Sequence, residues 1–565
     1  MRWNYLPKPP QEKITSLSEA LNIPPLIAEL LVARGIESFE EARLFFRPTL
    51  ADLHDPYLMK DMDKAVVRIE KAISNGENIM VFGDYDVDGT TAVSLVASYL
   101  KTIYPNVATY IPDRYAEGYG VSYKGIDYAD DNGISLIIAL DCGIKSIDHV
   151  AYAKERNIDF VICDHHRPGE MLPDAVAILD PQRSDCTYPY DELCGCGIGF
   201  KLIQALGANR NQTVDDLKPY LDLVATAIAA DIVPMTGENR ILAKFGLEVI
   251  NSNPRPGIKA LIGQVNKKIL TITDVVFIIA PRINAAGRIK HGNHAVELLS
   301  EFDLDQAIEF ASDIEKYNAD RKELDKKMTE EALHQIKEND EINRYTTVVF
   351  QEDWHKGVIG IVASRLIETY YRPTLVFTKS GDKLAASARS VLGFDIYNAL
   401  EACSEHLEQF GGHMYAAGMT VLPEHYNDFK EAFENQVKNT ITIEQREPQI
   451  TIDMELNFED IDAKFVRLLK QFEPFGPQNM SPVFVAKDVY DTGYPKTMGN
   501  NNEHLKLFLK QNNSAGLAAI GFNLGSKLSL VTHRKKVNVA FNLSENVWRD
   551  AVSLQLVIKD IAYQD

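Results

Sequence analysis

Short apolar runs alternate with amphipathic segments of helical length between about residue 78 and residue 180. The runs, each long enough for one buried strand, cover residues 79–82, 107–111, 136–140, 160–163 and 175–179. Helix candidates such as 91–101 and 148–156 lie between them. Regular alternation of strands and helices predicts an α/β fold with a doubly wound, mostly parallel sheet.

The rest of the chain has different periodicities. Apolar positions three and four apart predict helices over 15–75, and charge-rich helical spacing over 298–338 predicts a long connecting helix or a helix pair. A second, smaller α/β pattern follows, with strands and a helix near 346–350, 374–377 and 358–368. From about residue 447, short alternating segments separated by Gly and Asn turns predict a small β-barrel.

Three of the predicted strands end in acidic residues. The residues that follow these strands are Asp84, Asp86 and Asp88 in the first case, Asp141 in the second, and Asp164, His165 and His166 in the third. Because ligands of open parallel sheets bind at the carboxyl ends of the strands, we expect these side chains to converge. A further apolar segment, 223–230, ends at Asp231, which is a candidate fourth contributor or a simple helix or turn cap.

Clustered carboxylates repel one another, and a bound cation is the simplest way to keep them ionised. The donors are mainly hard oxygen atoms with one or two imidazoles, which favours Mn²⁺ or Mg²⁺ over structural zinc. Two such ions can activate a water molecule and neutralise charge on a phosphoryl group. We therefore expect hydrolysis of a phosphoester or a phosphoanhydride.

Other metal sites are weaker alternatives. The spacing of Asp84, Asp86 and Asp88 also suits a calcium loop, but Leu95 stands where such a loop needs glutamate. Cys186, Cys194 and Cys196 are close enough to suggest zinc, although their C-x-C spacing is unusual and no fourth ligand is obvious.

The 565 residues carry a formal net charge of −21, which by itself disfavours a nucleic-acid partner. The charge is unevenly distributed, however. Residues 275–296, 409–423 and 504–544 contain no Asp or Glu, and the last stretch carries Lys506, Lys510, Lys527, Arg534, Lys535 and Lys536. These stretches indicate either a solvated basic face or a basic groove on an otherwise acidic surface.

The chain shows no pattern of a membrane or secreted protein. It lacks an apolar run of about 18 residues, and its first residues do not resemble a secretory signal. Six cysteines in a chain of this length argue against a disulfide framework. We therefore expect a cytoplasmic protein.

The acidic motifs resemble those of the DHH phosphoesterases. The matching residues are 83–89, 141–143, 164–166 and 230–231, in the order and with the spacing of that family. Four further stretches, 281–288, 354–360, 387–390 and 411–413, are similar to RecJ-like nucleases. The resemblance runs from about residue 15 to the C-terminus. It implies a 5′→3′ exonuclease that acts on single-stranded DNA in recombination and repair.

The resemblance also implies roles for the acidic and histidine residues. The positions of the family's metal ligands are occupied by Asp86, Asp88, Asp141, His165 and Asp231. Phe82 stands where many relatives have a further histidine, and we expect Asp84 to supply an oxygen instead. His166 resembles the histidine that contacts the scissile phosphate or a metal, and we expect Asp164 to orient a histidine.

Candidates for holding the DNA strand are Arg282, Arg288, Ser387, Arg389, Gly411, Gly412 and His413. The two arginines of 281–288 flank a predicted turn of small residues, 284–287, and an arginine can bind phosphate with two hydrogen bonds. The stretch 411–413 is a candidate backbone-amide cradle for phosphate. Surface arginines paired with the acidic excess, and an ordinary turn at 411–413, are the alternatives.

The predicted barrel resembles an OB fold. Its basic segment contains Phe508, Phe522 and Phe541, which are either core residues or platforms on which the bases of a single strand can stack. The domain pattern and the resemblance together predict that the two α/β domains enclose a single strand and exclude duplex DNA.

These observations predict five segments along the chain. They are an N-terminal helical segment (1–75), a DHH catalytic domain (76–240), a helical connector (241–340), a DHH-associated nucleic-acid-binding α/β domain (341–445) and an OB-like barrel (446–565). From the resemblance alone we expect a helicase and a single-strand-binding protein as partners, and a monomer is the default.

Two other functions share parts of this pattern. A DHH-type phosphoesterase acting on short oligoribonucleotides or a small phosphoanhydride would use the same metal site. A catalytically silent DNA-replication scaffold would keep the fold. The barrel and the stretch 281–288 favour long DNA over the first, and the nearly complete ligand set argues against the second.

Overall fold

The computed structural model describes residues 1–265, 267–548 and 551–563. The helices are α1 Gln11–Leu21, α2 Pro25–Val32, α3 Phe39–Phe46, α4 Met62–Asn75, α5 Val87–Ile103, α6 Tyr123–Asp131, α7 Ile147–Lys154, α8 Gly195–Ala208, α9 Leu221–Asp231, α10 Gly237–Ser252, α11 Pro256–Gly263, α12 Ile272–Asp274, α13 Ala280–Ile289, α14 Asn293–Ser300, α15 Leu304–Glu338, α16 Ile359–Thr369, α17 Ile396–Glu401, α18 Tyr426–Thr440, α19 Ala463–Lys470 and α20 Leu528–Val531. A π-helical segment, Val275–Ile279, connects α12 to α13.

The strands are β1 Arg2–Tyr5, β2 Asn78–Gly83, β3 Val107–Tyr110, β4 Ile134–Leu140, β5 Asp159–Cys163, β6 Ala177–Leu179, β7 Thr347–Phe350, β8 Thr374–Ser380, β9 Lys383–Arg389, β10 Gln409–His413, β11 Ala416–Val421, β12 Gln449–Ile452, β13 Met454–Glu455, β14 Phe484–Asp491, β15 Lys496–Met498, β16 His504–Gln511, β17 Leu517–Gly521, β18 Val537–Trp548 and β19 Ala551–Tyr563. Within the described residues, no helix has both the length and the apolar character that a membrane crossing requires.

The chain forms two compact units. The central unit comprises Leu53–Arg446, and the terminal unit combines Met1–Asp52 with Glu447–Asp565. The predicted fold class is confirmed: an α/β domain with a parallel sheet and a second α/β domain are joined by a long helix, and the C-terminal part is an OB-like β domain.

The first sheet of the central unit is parallel and has the order β3-β2-β4-β5-β6. Its strands are buried on both faces, which is why they read as continuous apolar runs in the sequence. On one face Met80, Ile137 and Phe160 pack against residues of α6 and α7. Helices α5 and α8 also contact the strands, so the sheet is doubly wound as expected.

The connecting segment is the single 35-residue helix α15, which follows the shorter α14. It leads into a mixed sheet of order β10-β11-β9-β8-β7, in which only β7 and β8 are parallel. Residues Met328 and Ile336 of α15 share a core with Val362 and Leu366 of α16 and with Val376 of β8. This core fixes the second α/β domain against the long helix.

One local prediction is wrong, and the structure shows the conformation of two further segments. Residues 284–287 are not a turn, because Ala280–Ile289 forms helix α13 and its small residues allow close helix packing. Residues 411–413 belong to strand β10 rather than to a turn. The apolar segment that ends at Asp231 is a buried helix, α9.

In the terminal unit, strands are ordered β13-β14-β18-β19-β17-β16-β15, and an additional pairing of β14 with β16 closes the sheet into a barrel. Ile14, Leu17 and Leu31 of the N-terminal helices lie in one hydrophobic core with Phe484 and Phe541 of the barrel. The N-terminal helices are thus part of the same compact unit as the barrel, although they lie at the opposite end of the sequence.

Candidate metal centre

A row of four aspartates lies along the carboxyl edge of the parallel sheet. In the strand register, Gly83 pairs with Leu140, Leu140 with Cys163, and Cys163 with Leu179. The residues that follow these four positions are Asp84, Asp141, Asp164 and Asp180, and all four are buried. Because the strands are parallel and in register, a residue type placed after each strand is brought to one edge.

Two more carboxylates enter from the first turn of α5. Asp86 caps this helix, since its Oδ1 accepts a hydrogen bond of 2.9 Å from the amide of Gly89. Asp88 is buried, and its carboxylate accepts hydrogen bonds of 2.7 Å from the amides of both Gly195 and Cys196 at the start of α8. A helix N-terminus carries partial positive charge, so it holds the Asp88 carboxylate in place.

The ligand atoms meet around His165. Its Nε2 lies 3.1 Å from Oδ1 of Asp141, 3.6 Å from Oδ2 of Asp231 and 3.8 Å from Oδ2 of Asp88. Two groups of potential ligands result, Asp88 with His165 and Asp231, and Asp141 with His165 and His166. Within each group the ligand atoms all lie within 4.8 Å of one another.

Close packing at a glycine makes this convergence possible. A Cβ atom at Gly195 would lie 2.6 Å from Cβ of Asp141, so a larger residue would push α8 away from the strand end. Asp141 itself has φ of 59°, a left-handed conformation that aspartate tolerates better than most residues. The contact brings the start of α8, which holds Asp88, against Asp141.

His166 is held by Asp164. The Nδ1 of His166 donates to Oδ1 of Asp164 over 2.7 Å, and the same carboxylate accepts from the amides of Ile144 and His165. Burial acts to raise the pKa of Asp164, but the bond from His166, the charge of His166 and the bonds from backbone amides together outweigh burial, and the pKa is lowered overall. Burial acts to lower the pKa of His166, but the same bond together with the charges of Asp164, Asp231 and Asp88 raises it to about 9. The Nε2 of His166 faces the hydroxyl of Tyr119 at 3.3 Å.

The other carboxylates have pKa values raised by burial and by one another. Burial, and then the charge of Asp86, raise the pKa of Asp88 to about 7. Burial followed by Asp88 and Asp86 raises the pKa of Asp231 to about 8, and the pKa of Asp141 is well above its usual range for similar reasons. Burial, with the charge of His166, lowers the pKa of His165 to about 4. The cluster therefore holds excess protons unless a cation neutralises it.

The donor set fits divalent cations. Oδ1 of Asp141 and Nε2 of His165 are buried and have no hydrogen-bond partner among the described residues, and the same is true of Oδ2 of Asp84. Buried polar atoms without partners are costly, and a shared cation would satisfy them. Carboxylate oxygens with one or two imidazoles suit Mn²⁺ or Mg²⁺.

Asp84 and Asp86 are predicted metal ligands, but they lie beside the two groups of potential metal ligands rather than in them. Oδ1 of Asp84 accepts a bond of 3.3 Å from the amide of Gly120, and Asp86 caps α5. Asp86 is nevertheless close enough to raise the pKa values of Asp84, Asp88, Asp141 and Asp231.

The cysteines considered for zinc have other surroundings. Sγ of Cys194 accepts from the amide of Gly197 at the start of α8, and the amide of Cys196 donates to Asp88. Cys186 lies near the amide of Lys60. None of the three belongs to a group of potential metal ligands in the described part of the chain.

A cluster of arginines lies where the two α/β domains meet. Arg288 of α13 donates to the carbonyl of Gly357 over 2.9 Å, and the hydroxyl of Tyr115 donates to the carbonyl of Arg288. Burial, followed by the charges of Arg114, Arg389 and Arg321, lowers the pKa of Arg288 to about 9. The cluster is therefore poor in counter-charges, and an anion would stabilise it.

Ser387 and Arg389 extend this cluster from β9. Nη1 of Arg389 donates to Oγ of Ser387 over 3.1 Å. A Cβ atom at Gly360, in the first turn of α16, would lie 2.9 Å from that hydroxyl and 3.0 Å from Nη2 of Arg389. The helix start, the hydroxyl and the guanidinium therefore lie side by side, an arrangement that suits a phosphate group.

The remaining DNA-binding candidates make other contacts. Nε of Arg282 pairs with Glu315 of α15 at 2.6 Å, and its Nη1 donates to the carbonyl of Ile278. Gly411, Gly412 and His413 are exposed on β10, an edge strand of the second sheet. In the barrel, Phe541 is fully buried, whereas Phe508 and Phe522 are about half exposed, at 47% and 54%.

Several residues that line these sites are missing from the sequence prediction. Arg114 and Tyr119 lie in the loop that follows β3, and Asp180 follows β6. The guanidinium of Arg114 stacks 4.6 Å from the centre of the Tyr85 ring. Inspection of the residue after each strand, which identified Asp84, would also have found Asp180. It would not have found Arg114 and Tyr119, which lie further along the loop after β3.

Comparison with known families agrees with this architecture. Residues 78–228 match the DHH family, N-terminal domain, residues 343–439 match the DHHA1 domain, and residues 452–560 match the RecJ OB domain.

The chain is also similar to whole proteins. It is 38% identical over 575 residues to the single-stranded-DNA-specific exonuclease RecJ of Bacillus subtilis, covering 100% of this chain and 71% of that protein. The RecJ of Escherichia coli is 31% identical, with 95% and 96% of the two chains covered. The crystal structure of RecJ in complex with Mn²⁺ from Thermus thermophilus superposes with a TM-score of 0.85 at 26% identity, covering 100% of this chain and 80% of that one. A Mg²⁺ complex from the same organism gives a TM-score of 0.79 at 25% identity, covering 100% and 79%.

Proposed function

This chain belongs to the RecJ family of single-stranded-DNA-specific exonucleases, and from that premise we propose that it shortens single-stranded DNA from the 5′ end by metal-dependent hydrolysis. The observation that carries the proposal is the meeting of Asp88, Asp141, His165 and Asp231 within coordination reach of one another. Recombination and repair are the processes that such an activity would serve.

Two divalent cations, Mn²⁺ or Mg²⁺, would be held by Asp88, Asp141, His165 and Asp231, with Asp84 and Asp86 beside these ligands. When bound, such ions supply Lewis acidity toward a phosphoryl oxygen and lower the pKa of coordinated water. The ligand residues provide negative charge that fixes the ions, and the amides at the start of α8 fix Asp88.

His166 is our candidate for contact with the scissile phosphate. Its imidazole is protonated at neutral pH, since its pKa is raised to about 9 despite burial. Asp164 orients the ring through Nδ1, which leaves Nε2 directed towards Tyr119 and the open side of the site. A positively charged donor in this position would stabilise negative charge that develops on the phosphate.

The arginine cluster would bind the terminal phosphate of the strand. Arg114 belongs to the first α/β domain, Ser387 and Arg389 belong to the second, and Arg288 comes from the connecting helix α13. Because this cluster lies between the domains, a strand whose end it holds passes between them. A narrow passage would exclude duplex DNA, and Gly411, Gly412 and His413 would contact the strand. The exposed basic residues of the barrel, Arg534, Lys535 and Lys536, would also bind single-stranded DNA.

Timed digestion of one oligonucleotide labelled at either end tests the proposal. With Mn²⁺, a 5′ label should appear at once as mononucleotide, while a 3′ label should appear on a ladder of shortening products. Asp141→Asn serves as the control for contaminating nucleases. Early release of the 3′ label would refute the direction. Equal digestion of blunt duplex would refute enclosure, and preference for short oligoribonucleotides would favour the other DHH-type activity.

A cytoplasmic location, a monomeric state and association with a helicase or a single-strand-binding protein stay predictions.

A further inference from the structure

A cavity lies in the central unit, along one face of the long helix α15. Its volume is about 640 Å³, and its other wall is formed by Phe277 of the π-helical segment and by Pro281 and Arg282 of α13. The lining residues of α15 recur at three and four positions, and they are Asn318, Arg321, Lys322, Asp325, Lys326, Thr329 and Glu330. None of the candidate metal ligands lines it.

The cavity is strongly basic for so acidic a chain. Its lining includes five cations, Arg282, Arg321, Lys322, Lys326 and Arg365, and two carboxylates, Asp325 and Glu330. This is an excess of three positive charges on a chain whose net charge is −21. Such local concentration of one sign, in a concave site, attracts anions of matching charge.

Two of the five cations form ion pairs with carboxylates, and the other three form none among the described residues. Arg282 pairs with Glu315, and Arg365 pairs with Asp325 and Glu368.

Lys322 and Lys326 are exposed and form no ion pair among the described residues. Nε of Arg321 is buried without a hydrogen-bond partner, and burial, together with the nearby cations Arg365 and Arg282, lowers the pKa of Arg321. An anionic ligand would relieve both features.

An aromatic ring stands at the rim of the same cavity. Phe277 is 73% exposed, although the neighbouring residues Val275 and Ile279 of the π-helical segment are buried. A π-helical segment inside a helical run redirects side chains and is frequent at functional sites. A free phenylalanine face next to cations can stack a nucleobase while the cations bind the attached phosphates.

We propose that this cavity is a binding site for a nucleoside di- or triphosphate, separate from the metal centre. A volume of about 640 Å³ lies within the range of small-molecule sites, ~300–1,000 Å³. The excess of three positive charges suits a polyphosphate chain better than a single phosphate, which carries about two negative charges at neutral pH. The ring of Phe277 supplies the contact for the base.

Calorimetric titration of the full chain with ATP, AMP and inorganic tripolyphosphate in EDTA tests the proposal, because chelation removes binding that depends on divalent ions. ATP should bind with a stoichiometry of one, and AMP should bind at least about tenfold more weakly, since each lost charged contact contributes ~1.5–3 kcal/mol. Asp141→Asn should bind ATP like the wild type.

Two variants separate the phosphate and base contacts. Lys322→Ala with Lys326→Ala should weaken binding of ATP and tripolyphosphate by about tenfold or more. Phe277→Ala should weaken binding of ATP but not of tripolyphosphate. The matched controls are Lys316→Ala with Lys327→Ala, two exposed lysines of α15 outside the cavity lining, and Phe302→Ala, which is also 73% exposed.

Absence of ATP binding to the wild type would overturn the proposal. Equal weakening of ATP binding in the control variants would also overturn it. So would a result in which Asp141→Asn loses ATP binding while the double lysine variant binds ATP like the wild type. All the changed side chains of the two test variants are exposed, and circular dichroism of each variant checks that the fold is retained.

Discussion

Nε2 of His165 lies 3.1 Å from Oδ1 of Asp141, and neither atom has a hydrogen-bond partner among the described residues. The two residues follow neighbouring parallel strands, and both are largely buried. Burial and the charge of His166 lower the pKa of His165 to about 4, so its imidazole is neutral at pH 7. The neutral imidazole can donate an electron pair to a cation, and Asp141 can do so once a cation has displaced the proton that its raised pKa retains. The predictions below start from this pair.

Asp141→Asn should lower the rate of DNA cleavage by more than about 100-fold. Loss of a residue that only supports a metal ligand lowers activity by up to ~100-fold, and loss of a ligand itself should lower it further. The change removes one negative charge and keeps the shape of the side chain. Steady-state cleavage of single-stranded DNA at saturating Mn²⁺ measures it. Asp148→Asn, at an exposed position in the first turn of α7, is the matched control and should keep full activity. Wild-type activity of Asp141→Asn would remove this residue from the metal centre.

The thermal stability of the metal-free protein should fall as pH rises, and added metal should reverse this pH dependence. The pKa values of Asp88 and Asp231 are raised to about 7 and 8, whereas those of the unfolded chain are ~4. The folded, metal-free protein therefore holds more protons than the unfolded chain between these values, and its stability should fall as pH rises from 5 to 8.

Added Mn²⁺ should reverse this trend, because the ion replaces the protons and binds more tightly as pH rises. Thermal denaturation across that pH range, with EDTA or Mn²⁺, provides the measurement. Calorimetry in buffers of different ionisation enthalpy should also detect proton release on binding. Binding at pH 6.5 without proton release would contradict the assignment of Asp88 and Asp231 as ligands.

Arg389→Lys should raise the KM for strands with a 5′ phosphate by about tenfold or more, since a lysine cannot replace the two parallel hydrogen bonds of a guanidinium. kcat at saturating DNA should change less. The control Arg156→Lys changes an arginine of the loop after α7 that stacks on Tyr152. An unchanged KM, or an equal rise for strands with a 5′ hydroxyl, would mean that Arg389 does not contact the terminal phosphate.

Replacement of Arg534, Lys535 and Lys536 by alanine should weaken binding of long single strands more than it slows turnover at saturation. All three side chains are exposed. The slope of log K against log salt should become shallower by up to about two, since each phosphate contact on a single strand contributes ~0.7. Alanine at Lys464, Arg467 and Lys470, three exposed cations of α19, is the matched control. Equal salt slopes in the two triple variants would exclude a specific role for the first cluster.

Much of the metal centre follows from the sequence alone. Asp84, Asp141 and Asp164 each come directly after a buried apolar strand, and His165 and His166 follow the last of them. The covalent chain ties these residues to strand ends, and parallel pairing brings strand ends to one edge, so local pattern suffices. The alternation of strands and helices similarly determined the class of the central fold.

Other features depend on contacts between residues far apart in the chain, and local periodicity carries no information about them. Only the folded chain decides that Asp88 meets the start of α8, that Asp231 reaches His165 from the end of a helix, and that the N-terminal helices share the core of the barrel. It also separates Arg288, which joins the arginine cluster, from Arg282, which pairs with Glu315. Both arginines lie on one short helix, and the packing of that helix against different neighbours on its different faces assigns them to different sites.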